Sequence, residues 1–265
     1  MLLFRTPAAW ACSSRAAGAV ASFVLVAGAW HGAWCWEYVI PLLEAHGHRA
    51  VAAELPGMGA DKTPLAEVDF AAWARAVADV VAASPEPVIL VGHSRGGVVI
   101  SQAAELVPDR IQLNVYLTAI LMRNGESALD SAGMVPSDTL RERNYELTED
   151  GLAFKVLPDL AFSYGRSPPD LVERALSLMT PEPQFALLTP LSLTPARYGK
   201  VRRAYIECLG DETVPPALQR AMQAREACEI VRAIDTDHCP GYSAPGKVVA
   251  VLDELAALGY PRKLP

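Results

Sequence analysis

At 265 residues the chain suits one α/β domain carrying an insertion and can bury a large core. Hydrophobic residues make up 51% of it, yet no run reaches the ~20 apolar residues of a membrane span, so a membrane is not an expected partner. A formal net charge of −7 without any basic cluster argues against nucleic acid and anionic membrane surfaces.

Residues 1–21 place Arg5 and Arg15 around short alanine-rich stretches. Arg15 interrupts the apolar stretch that a secretory signal needs, although Ala19-Val20-Ala21 imitates a cleavage site. An extended or disordered tail is expected there, with a cleaved signal as the alternative. Strand-like runs then appear at Phe23–Ala27, Arg49–Ala53, Val88–Val91, Leu113–Thr118, Ala204–Leu209 and Ile230–Ile234. Helical patterns alternate with them, and the clearest sets Phe70, Trp73, Val77, Val80 and Val81 on one face. Such alternation implies a parallel sheet covered on both faces, with ligands bound beyond the carboxyl ends of the strands. Between about Ala119 and Pro195 the pattern dissolves into proline-punctuated short helices with no convincing strand.

The most informative stretch is Gly92-His93-Ser94-Arg95-Gly96, directly behind the apolar strand Pro87–Val91 and ahead of the helical Gly97–Ala104. Gly-x-Ser-x-Gly between a strand and a helix is the setting of a nucleophile elbow, where a strained turn projects the serine hydroxyl outward. A serine needs a base, and the base an orienting acid. Of the five histidines, His46 and His48 flank Gly47 and read as surface turn residues. His31 lies in a tryptophan-rich loop, and His93 is held in the elbow with its side chain away from the nucleophile. His238 remains, on the loop after Ile230–Ile234, where the base of a serine, acid, histidine chain order belongs. The acid should follow the strand before it, which selects Asp211, with Glu212 its nearest competitor; helix N-terminal charge is the plainer reading of either. Asp235 and Asp237 stand too close to His238 to reach it across a loop.

Five cysteines, Cys12, Cys35, Cys208, Cys228 and Cys239, show no CxxC spacing and have no companion histidines. Reduced thiols in a cytoplasmic protein are expected, with no metal. Cys35 and Cys208 read as small core residues.

Taken with Phe23–Trp36, the Leu55-Pro56-Gly57-Met58-Gly59 loop, Tyr205–Pro215 and Asp237–Pro245, the elbow resembles the α/β-hydrolases. The nearest group holds plant methyl esterases of small hormones, hydroxynitrile lyases and bacterial pyrethroid-hydrolase-like esterases. The resemblance implies a mostly parallel sheet with helices on both faces, a core of residues 22–118 and 196–265, and a helical cap over 119–195. It implies an oxyanion hole from the backbone N–H groups of Ala29 and Arg95. The Arg95 side chain is expected to face helix neighbours or solvent, attraction of an anionic substrate being the alternative. Where the family usually has His-Gly this chain has Ala27-Gly28, so a shifted loop with its backbone donor intact is expected. Hydroxynitrile lyases place a lysine after the base and a hydroxyl in the first loop; Cys239 and Gly28 stand there, which disfavours cyanohydrin cleavage. The cap offers Leu121, Met122, Met134, Phe154, Phe162, Tyr164, Leu178, Met179, Phe185 and Leu187 to an apolar pocket, of which Leu121, Met122 and Phe162, with Trp30, are the chosen substrate contacts.

The implied activity is cofactor-independent hydrolysis of a hydrophobic carboxylic ester by Ser94, His238 and Asp211. The expected partner is a small-molecule ester, a second copy of the chain being the one macromolecular partner left open. A lyase or cyclase on the same scaffold, or a ligand receptor, are the rival readings.

Overall fold

A computed structural model describes residues 20–140 and 145–258. In chain order its strands are β1 (Ser22–Val26), β2 (Arg49–Ala53), β3 (Val88–His93), β4 (Ile111–Leu117), β5 (Ala153–Phe154), β6 (Glu182–Pro183), β7 (Arg203–Cys208) and β8 (Ile230–Ile234). The α-helices are α1 (Ile40–Ala45), α2 (Phe70–Ala82), α3 (Gly96–Leu106), α4 (Pro169–Leu178), α5 (Phe185–Leu188), α6 (Pro216–Arg225), α7 (Pro240–Ser243) and α8 (Pro245–Ala257). Six strands form one parallel sheet in the order β2-β1-β3-β4-β7-β8, while β5 and β6 pair antiparallel by themselves.

The central strands form because their side chains can be buried on both faces, while the edge strands β2 and β8 leave positions partly exposed. β1 and β3 are buried at every position, the near-continuous apolar run of a parallel sheet covered on two sides. Alternation then sorts the residues. Val24, Val26, Val88, Leu90 and Tyr116 enter one core with Phe70, Trp73, Val77 and Val81 of α2 and Val98 to Ile100 of α3. Phe23, Leu25, Ile89, Val91 and Val115 enter the other with Leu43 of α1 and Val248, Leu252 and Leu255 of α8. The stripe expected on α2 is the one that packs, with Val80 half-buried at its edge, and Asp69 caps the helix by accepting from the Ala72 N–H at 2.6 Å.

Strand order positions the site. From β1 the chain steps to β2 on one side, then returns past β1 to β3 on the other, so the loops after β1 and β3 face each other across the crevice where direction reverses. The loops after β7 and β8 leave the same end of the sheet.

Some expectations change. The β4–β7 connection does contain strands; β5 and β6 are two residues each and one ends in Pro183, too short for a period-two pattern to show. His48 is not a surface turn residue: its Nδ1 accepts from the Ala21 N–H at 3.2 Å, Nε2 meets Asp253 at 2.9 Å, and the ring stands edge-on to Phe23. His46 does stay half-exposed, on the same Asp253 carboxylate. Of the N-terminal tail only Val20 and Ala21 fall among the described residues; Cys12 and the remainder lie outside them. Among the described residues no helix is long and apolar enough to cross a membrane.

Candidate active site

β3 ends at His93 and α3 begins at Gly96, leaving Ser94 and Arg95 to reverse the chain. Ser94 takes φ of 53°, the left-handed region that a non-glycine residue enters only when its surroundings fix it there. Two glycines make the turn possible. A Cβ on Gly92 would lie 2.7 Å from the Gly96 carbonyl oxygen, and one on Gly96 would lie 2.8 Å from the carbonyl oxygens of Val26 and Ala27. Each contact is with backbone, which cannot step aside, so strand and helix approach this closely only over bare Cα atoms.

The structure brings Ser94, His238 and Asp211 together. His238 Nε2 lies 2.9 Å from Ser94 Oγ and Nδ1 lies 2.6 Å from Asp211 Oδ2. All three residues are buried, and Glu212 is not the partner. Asp211 is itself held at both oxygens: Oδ1 accepts from the N–H groups of Thr213 at 2.7 Å and Val214 at 2.8 Å, and Oδ2 also accepts from the Thr118 hydroxyl. That shell fixes the carboxylate and makes the Nδ1–H tautomer of His238 the favoured one, which leaves Nε2 free to accept from Ser94. Asp237, the residue before the base, pins its loop to the β4–β7 connection by accepting from the Arg166 N–H at 2.7 Å.

His93 does more than fill the elbow. Its Nε2 donates to the His238 carbonyl oxygen at 2.6 Å, tying the loop after β8 to the strand that carries the nucleophile. His31, given no role by its sequence position, joins the loop after β1 to the β4–β7 connection: Nδ1 donates to the Ala29 carbonyl oxygen at 2.5 Å and Nε2 accepts from the Tyr164 hydroxyl at 2.5 Å. Burial pushes its imidazole from the usual 6.5 down to about 4, with the Ala29 hydrogen bond pulling the other way, and burial likewise holds His93 well below its ordinary value. Both rings are therefore neutral in the fold but protonate near pH 6.5 once exposed. Between about pH 6.5 and 4 the unfolded chain binds more protons, so stability present at pH 7 is lost as pH falls through that window. For His31 this amounts to at most about 3 kcal/mol. Urea midpoints are expected to drop between pH 7 and 5, and a His31→Gln variant should show a shallower drop; parallel curves for the two proteins would remove His31 as the cause.

Ala29 and Trp30 follow β1 and border the site, Trp30 at φ of 62°. Among the described residues the backbone N–H groups of Ala29 and Arg95 donate to no acceptor. The Arg95 side chain corrects the expectation that it faces helix neighbours or solvent. It is 2% exposed, with Nε donating to Glu182 Oε1 at 2.7 Å, Nη2 donating to the Gly28 carbonyl oxygen at 2.8 Å, and its guanidinium over the Trp73 ring. Glu182 is fully buried and also accepts from the Trp30 N–H at 2.8 Å. Burial pushes its carboxyl upward while Arg95 and the Trp30 N–H pull it back.

A cavity of about 240 Å³ opens beside Ser94 and His238, lined mainly by apolar groups that include Trp30, Ile120, Leu140, Leu160, Met179 and Leu187. Of the chosen substrate contacts only Trp30 lines it. Leu121 and Met122 are core residues: Ile120 N–H bonds the Ser94 carbonyl oxygen at 2.9 Å, and the chain beyond turns away to pack on Met222. Phe162 borders a small neighbouring recess, because the 3₁₀ turn Pro158–Tyr164 presents Leu160 and Ser163, three apart, to the cavity instead. Cys35, Cys208, Cys228 and Cys239 are all free thiols, Cys35 and Cys208 within the core.

A parallel sheet with a serine elbow after β3, an aspartate after β7 and a histidine after β8 defines the α/β-hydrolase arrangement. Residues 23–251 match the model of the alpha/beta hydrolase family, and the chain belongs to that family. Methylesterase 1 of Arabidopsis thaliana is 34% identical to it, over 84% of this chain and 91% of that protein. Two longer chloroplastic relatives from the same plant are 35% and 31% identical, and the chain spans 64% and 56% of their length. Among solved structures it is similar to polyneuridine aldehyde esterase, with a TM-score of 0.80 and 27% identity covering 89% of this chain and 99% of that one. A pyrethroid hydrolase from Sphingobium faniae JZ-2 matches with a TM-score of 0.77 and 28% identity over 89% and 97% of the two chains.

Proposed function

We propose that the protein is a serine carboxylic ester hydrolase acting on a hydrophobic ester of modest size. The observation that carries this reading is the buried hydrogen-bonded chain from Ser94 through His238 to Asp211, opening onto an apolar cavity. Ser94 Oγ attacks the ester carbonyl as His238 Nε2 takes its proton, and Asp211 stabilises the imidazolium that results. The carbonyl oxygen, now charged, is received by the N–H groups of Ala29 and Arg95. His238 returns the proton to the departing alcohol, leaving an acyl group on Ser94. A water deprotonated by the same imidazole then attacks the acyl carbonyl, and collapse of the second tetrahedral intermediate releases the acid and restores the serine.

Cavity size and lining support the substrate class. A volume of about 240 Å³ suits a small acid or alcohol portion, and the charge of Arg95, which borders the cavity, is neutralised by Glu182. Residues 119–195 act as the cap over this cavity, contributing Leu140, Leu160, Met179 and Leu187 to its walls. A reducing, cytoplasmic setting suits the four free thiols among the described residues.

Covalent labelling tests the reading. An alkyl fluorophosphonate should add once to the protein by intact mass, and the Ser94→Ala variant should take up none while folding normally. A folded wild type that forms no adduct and turns over no p-nitrophenyl ester would shift the assignment to a lyase, a cyclase or a ligand receptor on the same scaffold.

A further inference from the structure

The peptide unit that would supply the Ala29 N–H is gripped from behind by an ion pair that the hydrolytic chemistry itself does not use. In a trans peptide the carbonyl and the N–H point opposite ways, so the Gly28 oxygen and the Ala29 hydrogen move as one rigid plane. Arg95 Nη2 donates to that Gly28 oxygen at 2.8 Å. The next plane is fixed as well: Trp30 N–H donates to Glu182 Oε2 at 2.8 Å, and the Ala29 carbonyl oxygen accepts from His31 Nδ1. Glu182 Oε1 accepts from Arg95 Nε at 2.7 Å, so one carboxylate spans the guanidinium and the loop together. The carboxylate belongs to β6, 87 residues from Arg95 and 152 from Trp30, and neither member of the pair is open to solvent. The guanidinium carbon lies over the Trp73 ring, 4.4 Å from the ring centre, and Nη1 is buried with no hydrogen-bond partner among the described residues.

We infer that Arg95 and Glu182 are positioning residues for the oxyanion hole: the pair sets the direction of the Ala29 N–H. The inference rests on the esterase reading above. Arg95 then serves twice, its own N–H facing the oxyanion and its side chain aiming the second donor. Drawing the Gly28 carbonyl toward Arg95 sends the Ala29 N–H to the opposite side, where Ala29 borders the cavity beside Ser94. The left-handed backbone of Trp30 persists because Glu182 holds its N–H. Since a preorganised donor acts on the developing charge and not on the bound ester, the effect falls on kcat and leaves KM nearly unchanged.

Glu182→Gln tests this, because an amide cannot accept from both Trp30 and Arg95 and turns a donor toward one of them. Loss of an oxyanion donor typically lowers kcat by about 10²–10³, so a misaimed one should lower it by about 10–100-fold on p-nitrophenyl esters. Affinity for a trifluoromethyl ketone, whose serine adduct carries an oxyanion, should weaken by the same factor, while the pH midpoint of kcat stays put. A single variant that orphans a buried charge is prone to misfold. The double variant Arg95→Met with Glu182→Gln removes both charges and should regain thermal stability. It should nevertheless keep the kcat and inhibitor losses, which a purely structural role would not. Wild-type kcat and inhibitor affinity in the folded double variant overturn the inference alone. Absence of Ser94 labelling and ester turnover in the wild type overturns it together with the esterase reading.

Discussion

Replacing His238 by alanine is expected to lower kcat on a hydrophobic ester by about 10⁴–10⁶, with little change in the unfolding temperature. The loss is large because in the proposed mechanism one ring performs every proton transfer: it faces Ser94 Oγ at 2.9 Å and no other buried base lies within reach of that hydroxyl among the described residues. His93 and His31 stand nearby but are committed to carbonyl oxygens and kept from protonation by burial, so neither can substitute. What remains should be the contribution of binding and of the two N–H donors. Steady-state kinetics beside near-ultraviolet circular dichroism checks the result. A folded variant with a tenth of wild-type activity would show that His238 is not the general base.

Asp211→Asn should cost about 10³–10⁴ in kcat while leaving the fold intact. Thr213 and Val214 can keep their hydrogen bonds to the amide oxygen, so the turn between β7 and α6 survives. The amide nitrogen, however, would turn a donor toward His238 Nδ1. The ring then exposes Nε2–H to Ser94 and can no longer accept its proton, although no heavy atom has moved. Comparing kcat with the urea midpoint separates this from unfolding: a matching loss of both would assign Asp211 to stability.

The six sheet strands could be read to within a residue or two at their ends. Most of β1 and most of β3 are uninterrupted apolar runs, which burial on both faces imposes, while β2, β4, β7 and β8 stay mostly apolar around Arg49, Gln112, Asn114, Glu207 and Arg232. The reading at β4 starts at Leu113, whereas the strand begins at Ile111, since Gln112 breaks the run. Ser94 was legible because the elbow compresses strand, nucleophile and helix into adjacent positions, where spacing is informative. His238 and Asp211 were legible by elimination and by their places after late strands. What escaped were residues that act across the fold. Glu182 lies between two prolines in a segment without periodicity, and nothing local distinguishes it from a solvated carboxylate. The Arg95 side chain was misplaced for the same reason, since a charged residue at a helix start is ordinarily exposed. Leu121, Met122 and Phe162 show the limit of hydrophobicity as a guide: an apolar residue after β4 can face a cavity or a core, and only the path of the chain decides.

About half of the cavity's lining residues lie between Ala128 and Leu187, whereas the hydroxyl, imidazole and carboxylate stand on loops at strand ends. Such a division lets selectivity drift over generations, or be redirected in the laboratory, by exchanging wall residues such as Leu140 or Leu187 while the chemical step is left alone. Glu182 is where the two layers are joined. Remodelling of the wall that shifts β6 would alter turnover as well as preference, so the position is a fixed point around which variation elsewhere in the segment has to be organised.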